Sequence, residues 1–175
     1  QRVFFYHLPE ISSLQFHNSI IPNLTASLSI ALRYFHPFAA KFISVPLPNE
    51  PYILYSDGDS VPFTVAESTS LDFNKVTSDQ PNDVRLLHPL LPKLLPPVTN
   101  SDDGSTVSNL LSVKVTLFPN SGVCIGIEFR HVAADGLAFN HFVKSWASIS
   151  KSVCKDLSWV EKNPPLVDRG LIKDP

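Results

Sequence analysis

An α/β fold, in the layered α+β form with a mixed β-sheet and helices packed against it, is what the apolar pattern of this chain predicts. Val113, Val115 and Leu117 alternate with polar neighbours, a turn falls at Pro119-Asn120-Ser121-Gly122, and alternation resumes at Val123, Ile125, Ile127 and Phe129, which is the pattern of a β-hairpin. Two other stretches repeat at helical spacing: Leu24, Leu28, Leu32 and Phe35, and then Ala138, Phe142, Ser145, Trp146 and Ile149. An apolar stripe on a helix needs a partner surface, and the apolar face of the hairpin offers one.

In chain order, Arg2 to His7 is aromatic and apolar and reads as a short strand ended by Leu8-Pro9. The first helix is expected from Asn23 until His36-Pro37 stops it, because the residue before a proline is driven out of the helical region. Phe42 to Val45, Tyr52 to Tyr55 and Val61 to Ala66 are β-rich runs separated by Pro48, Pro51 and the Asp57-Gly58-Asp59 turn, so a meandering sheet is expected there. From Ser78 to Asp103 the chain is rich in Pro, Asn and Asp and is expected to form a long surface excursion with little regular structure. The hairpin follows, and the second helix is expected to run to about Val153.

At 175 residues the chain is long enough to bury roughly two thirds of its unfolded surface, so residues 1–175 are expected to make one domain. Apolar residues at 43% and charged residues at 17% belong to an ordinary globular protein rather than a disordered one. A net charge of -2 with no block of Lys and Arg argues against nucleic acid as a partner. No apolar run approaches a membrane span, and the start lacks the layout of a secretory signal, so a cytoplasmic location with no membrane partner is expected. Cys124 and Cys154 are too few for a disulfide framework and lack ligand neighbours, so both read as structural thiols and no metal is expected. The Asn23-Leu24-Thr25 sequon is common by chance, and Asp57 and Asp59 lack the remaining carboxylates of a calcium loop. The chain opens at Gln1 inside an extended apolar segment and stops at Pro175 without a helix stop or polar tail, so truncation at both ends is expected.

The candidate site lies where the second hairpin strand ends. Positions 123, 125, 127 and 129 are apolar, and His131 is the next residue of that face, just before the chain turns through Val132-Ala133-Ala134 to Asp135-Gly136 and the second helix. Residues at the carboxyl end of a strand border the crevice of many layered folds. Spacing alone leaves two readings open: a reactive histidine in a crevice, or a hydrogen-bonded core histidine followed by an Asp135 helix cap. A serine hydrolase is disfavoured because no G-x-S-x-G occurs, and a zincin because no His-Glu-x-x-His occurs.

His131-Val132-Ala133-Ala134-Asp135-Gly136 resembles the HxxxDG motif of the plant BAHD acyltransferases. Its flanks match too, with Leu117-Phe118-Pro119-Asn120 and Gly122 before it and Lys144-Ser145-Trp146-Ala147 after it. Ile21-Pro22-Asn23-Leu24, Ser27-Leu28-Ser29, Asp57-Gly58-Asp59-Ser60, Ala66-Glu67-Ser68, and Asp168-Arg169 with Leu171-Ile172-Lys173-Asp174 are similar to the branch that acylates anthocyanins and related flavonoid glycosides. Peptide condensation domains carry a related HHxxxDG pattern, but Arg130 stands in the first His position here.

The resemblance covers nearly the whole chain and implies half of a chloramphenicol acetyltransferase-like fold, with the C-terminal half absent. The family's DFGWG and YFGNC-type signatures do not occur. It further implies acyl-CoA, either malonyl-CoA or hydroxycinnamoyl-CoA, as co-substrate, a flavonoid or anthocyanin glycoside as acceptor, His131 as catalytic base, and no metal or covalent intermediate. Asp135 would pair with an Arg beyond residue 175 and shape the site, and Gly136 would permit a close backbone approach. The residues that hold CoA are not indicated. A non-catalytic half-domain acting as a binding module is the alternative.

Overall fold

The computed structural model describes residues 1–168. Strand β1 (Arg2–His7) is followed by a short helix α1 (Ser13–Gln15), a π-helical turn at Phe16–Ile20, and helix α2 (Ile21–Tyr34). Next come β2 (Lys41–Ser44), β3 (Tyr52–Leu54), β4 (Phe63–Glu67), helix α3 (Phe73–Val76) and a 3-10 segment over Val84–Leu90. Strands β5 (Val98–Thr99), β6 (Thr106–Asn109), β7 (Leu111–Phe118) and β8 (Gly122–Phe129) lead into helices α4 (Gly136–Lys151) and α5 (Ser158–Lys162).

These strands form two four-stranded sheets, β1-β8-β7-β4 and β3-β2-β6-β5. In the first sheet β1, β8 and β7 run antiparallel and β4 joins β7 in parallel, so the sheet is mixed as the sequence predicts. The expected hairpin is β7 and β8, closing at the pair Phe118 and Gly122 around Asn120, whose φ of 56° is the left-handed conformation that asparagine tolerates. The expected meander of three strands is corrected. β2 and β3 pair in the second sheet, whereas β4 crosses to the first, where the Val113 amide donates to the Pro62 carbonyl and opens the parallel register. A run of three to five β-formers indicates extension but not its partner, which long-range packing selects.

Residues 106–118 are one extended run shared by both sheets, with β6 paired to β2 and β7 to β8. Leu110, at the crossover, is fully buried, and its carbonyl accepts a hydrogen bond from the Arg130 amide at 2.9 Å.

Helix formation begins ten residues earlier than expected, at Ser13, where Ser12 and Gln15 exchange the two hydrogen bonds of a capping box. Pro22 marks the start of a helix by the usual rules, since it lacks an N–H. Here it sits in the first turn of α2 directly after the π-helical turn, whose wider spacing leaves room for the ring. The helical face of α4 is also corrected: Ala138 is exposed, and the buried set is Phe139, Phe142, Ser145, Trp146 and Ile149.

Helices α2 and α4 lie together on one face of the first sheet, over Val113, Val115, Leu117, Val123, Ile125, Ile127 and Phe129. Small residues at the crossing, Ser27, Ala31 and Ser145, are fully buried and allow close approach. The opposite face is not left to solvent. Phe73 from α3 and Leu90 from the excursion cover Cys124 and Phe118, and Lys114 donates to the Pro89 carbonyl at 2.6 Å. A Cβ at Gly126 would overlap the Leu90 carbonyl, so glycine is what lets this strap lie flat on β8.

Candidate active site

Strand β8 ends at Phe129, and the turn that follows is held by the Ala133 amide donating to the Arg130 carbonyl at 3.0 Å. This turn lifts His131 clear of the core. The histidine is exposed, and its ring packs on Phe129 with centroids 4.9 Å apart. Its nitrogens make no hydrogen bond among the described residues. Of the two readings that spacing leaves open, the buried, hydrogen-bonded core histidine is therefore not the one the fold adopts.

Asp135 is the N-cap of α4. Its extended backbone turns the chain into the helix, and Oδ1 accepts from the Ala138 amide at 2.8 Å. The carboxylate makes no ion pair among the described residues, so the arginine partner that the resemblance implies is not supplied by residues 1–168. Gly136 is corrected as well. A Cβ there would meet nothing within 4 Å and its φ is not left-handed, so no close backbone approach is made at Gly136 among the described residues.

His131 and Asp135 border a cleft of about 690 Å³ that also brings in Phe35, Phe38, Leu137 and His141, with residues 165–168 as its far wall. Phe38 lies under the cleft against Phe142 at 4.7 Å, and Phe129 stacks on Phe139 at 4.2 Å with the planes 6° apart, so the floor is an aromatic raft. His141 connects two walls: its Nε2 is 2.8 Å from the Asn163 carbonyl oxygen, while its ring meets Phe35 edge-on at 5.1 Å and Trp159 at 5.5 Å. Phe35, Phe38 and His141 were missed as site residues because they come from segments about a hundred positions apart. Phe35 reads in the sequence only as the end of a helical stripe.

A second, apolar groove of about 270 Å³ runs between β1, β8 and α4, past Phe4, Tyr6 and Val143. It holds no grouping of reactive side chains. The two cysteines are free and unconnected; burial pushes the Cys124 thiol up to about 12, as suits a packing residue. Asn23 is tied to α4 through Ser150, with its Nδ2 donating to both the carbonyl and the hydroxyl at 3.0 Å, so the sequon is part of a helix crossing. At the Asp57-Gly58-Asp59 turn, Asp59 accepts from the Ser56 amide at 2.9 Å and lies 3.9 Å from the Lys41 amine. Arg169 and the 171–174 stretch of the resemblance lie outside the described residues.

Two four-stranded sheets with helices, a solvent-facing histidine past a strand end and an aspartate capping the next helix make a layered α/β unit with a candidate reactive histidine at a cleft. The family model described as "Transferase family" matches residues 1–172, and the chain belongs to that family, the BAHD-type acyltransferases. It is 45% identical over 174 residues to coumaroyl-CoA:anthocyanidin 3-O-glucoside-6''-O-coumaroyltransferase 1 of Arabidopsis thaliana, covering 98% of this chain and 37% of that protein. It is 37% identical to a malonyl-coenzyme A:anthocyanin 3-O-glucoside-6''-O-malonyltransferase of Dahlia pinnata, covering 97% of this chain and 37% of the relative. The chain thus spans little more than a third of the length of these curated relatives. Among solved structures, vinorine synthase shares the fold with a TM-score of 0.60 at 20% identity, over 99% of this chain and 41% of that one.

Proposed function

We propose that this chain is the histidine-bearing half of an acyl-CoA-dependent O-acyltransferase. It would move a malonyl or aromatic acyl group from CoA to a sugar hydroxyl of an anthocyanin or flavonoid glycoside. The observation that carries the reading is His131, exposed and without a hydrogen-bond partner among the described residues, at the edge of an aromatic-floored cleft.

The chemistry needs one base. His131 accepts the proton of the acceptor hydroxyl as its oxygen attacks the thioester carbonyl. The new C–O bond forms, the C–S bond breaks, and the imidazolium returns the proton to the departing thiolate, so electrons and protons balance without an acyl-enzyme or a metal. Asp135 acts on the turn: by capping α4 it fixes the direction in which residues 131–135 leave β8. The remaining walls of the channel, and an arginine for the free Asp135 oxygen, would come from a C-terminal half, as the length of the relatives supports.

The test is CoA thiol release by the full-length protein with an acyl-CoA and an anthocyanidin glucoside. His131→Ala should cut turnover by at least roughly two orders of magnitude while leaving the melting curve in place, because the side chain is exposed and makes no hydrogen bond among the described residues. Near-normal turnover of the variant would remove His131 from the mechanism.

A further inference from the structure

The far wall of the cleft has no helix or strand of its own. Residues 164–168 form neither, and Pro164 and Pro165 lack the N–H groups with which such a segment is usually tied down. The segment starts from Asn163, the C-cap of α5. Two hydrogen bonds there stay within that helical end, from the Asn163 amide at 3.1 Å and from its Nδ2 at 2.8 Å, both to the Trp159 carbonyl. A third crosses to α4, where Nε2 of His141 lies 2.8 Å from the Asn163 carbonyl oxygen.

A carbonyl oxygen only accepts, so the hydrogen of the neutral His141 ring lies on Nε2. The ring is held for that bond between two others: Phe35 meets it edge-on at 5.1 Å with the planes 87° apart, and Trp159 at 5.5 Å and 70°. Phe35 is the C-cap of α2 and Trp159 belongs to α5, so His141 joins three helices at the cleft. Helix α4 opens at its cap Asp135, and His141 lies about 9 Å further along the axis. One helix is thus connected at its start to the turn bearing His131 and, through His141, to the wall across the cleft.

We infer that His141 is a positioning residue for the acyl transfer: by donating from Nε2 to the Asn163 carbonyl it sets residues 165–167 across the cleft from His131, where the substrates lie against them. The inference rests on the acyl-transfer reading above. Leu166 and Val167 on that wall are apolar and 78% and 42% exposed, which leaves surface for a bound substrate to cover. Such a wall meets the substrate before and during the reaction alike. It contributes uniform binding, so loosening it raises KM more than it lowers kcat.

The experiment uses the full-length protein and follows thiol release from whichever of p-coumaroyl-CoA and malonyl-CoA the parent turns over, with donor and anthocyanidin glucoside varied in turn. His141→Phe keeps a ring between Phe35 and Trp159 but has no donor. It should raise KM for at least one substrate by about three- to tenfold, the worth of one hydrogen bond, with kcat changing far less. His141→Gln carries an amide N–H near the place of Nε2 and should restore most of the parent KM, whereas the shorter His141→Asn should not. Nitrogen NMR shifts of the parent at about pH 8, where an ordinary histidine is neutral, should show the Nε2–H tautomer for the signal that His141→Gln removes. An unchanged KM in His141→Phe, rescue by Asn rather than Gln, or an Nδ1–H tautomer overturns the inference while acyl transfer stands. No thiol release from either donor by the parent overturns the acyl-transfer reading and this role of His141 with it.

Discussion

Asp135 Oδ1 accepts a hydrogen bond from the Ala138 amide at 2.8 Å and so closes the first turn of α4 four residues after His131. The motif's aspartate thus caps the helix that begins where the turn carrying the histidine ends. Asp135→Ala should lower stability by about 1 kcal/mol, as N-cap deletions do, and should lower activity with it. Asp135→Asn keeps an acceptor in the same place and should melt close to the parent. Thermal unfolding of the three proteins beside their turnover decides the matter, since lost activity at unchanged stability would give the carboxylate a direct chemical role.

The crossing of α2 and α4 rests on Trp146, whose indole N–H donates to the Ser27 hydroxyl at 3.0 Å and to the Leu24 carbonyl at 3.2 Å. Ser27 is fully buried. Trp146→Phe should cost about 0.5–1.5 kcal/mol, the net worth of a typical hydrogen bond, because the Ser27 hydroxyl still donates to the Leu24 carbonyl. Adding Ser27→Ala to that variant should cost much less than Ser27→Ala does in the parent. Urea unfolding of this double-mutant cycle measures the coupling.

Two glycines make opposite predictions. Gly126→Ala drives a methyl into the Leu90 carbonyl, where backbone must move, and should destabilise by about 1–3 kcal/mol or more. Gly136→Ala has open space around it and should be neutral or stabilise by up to about 1 kcal/mol through the unfolded chain. Melting temperatures of the pair would reveal whether the strap over β8 is packed as described.

Burial raises the Cys124 thiol from an ordinary 9.0 to about 12. The folded state thus favours the protonated form, and its contribution to stability is complete below the unfolded value. Between pH 9 and about 12 the unfolded chain ionises while the folded one does not, so that contribution is progressively lost as pH rises. Cys124→Ala should flatten the alkaline fall of stability in this window. In the native protein at pH 8, a thiol reagent should label half-buried Cys154 and spare Cys124.

Local pattern determined much of this molecule. The β7–β8 hairpin follows from strict alternation around Pro119 and Asn120, and helix α4 from its 3.6-residue repeat, because both signals are written in neighbouring residues. The place of His131 at the end of β8 follows from the same alternation. Signals that run against a local rule were lost: Pro22 hid the early helical start at Ser13, and Phe139 was passed over in favour of Ala138.

Only the tertiary structure decided the rest. That β4 leaves β3 to join β7 in parallel, and that residues 84–91 fold over Gly126 rather than into solvent, depends on contacts distant in the sequence, whose partners no periodicity names. The same is true of the cleft. Spacing placed His131 on the core side of its strand and left its burial open; the turn held by Ala133 and Arg130 exposes it, and the approach of Phe35, Phe38 and His141 from separate helices gives it a floor. The sequence by itself determined which residues were chemically able, and packing determined which of them meet.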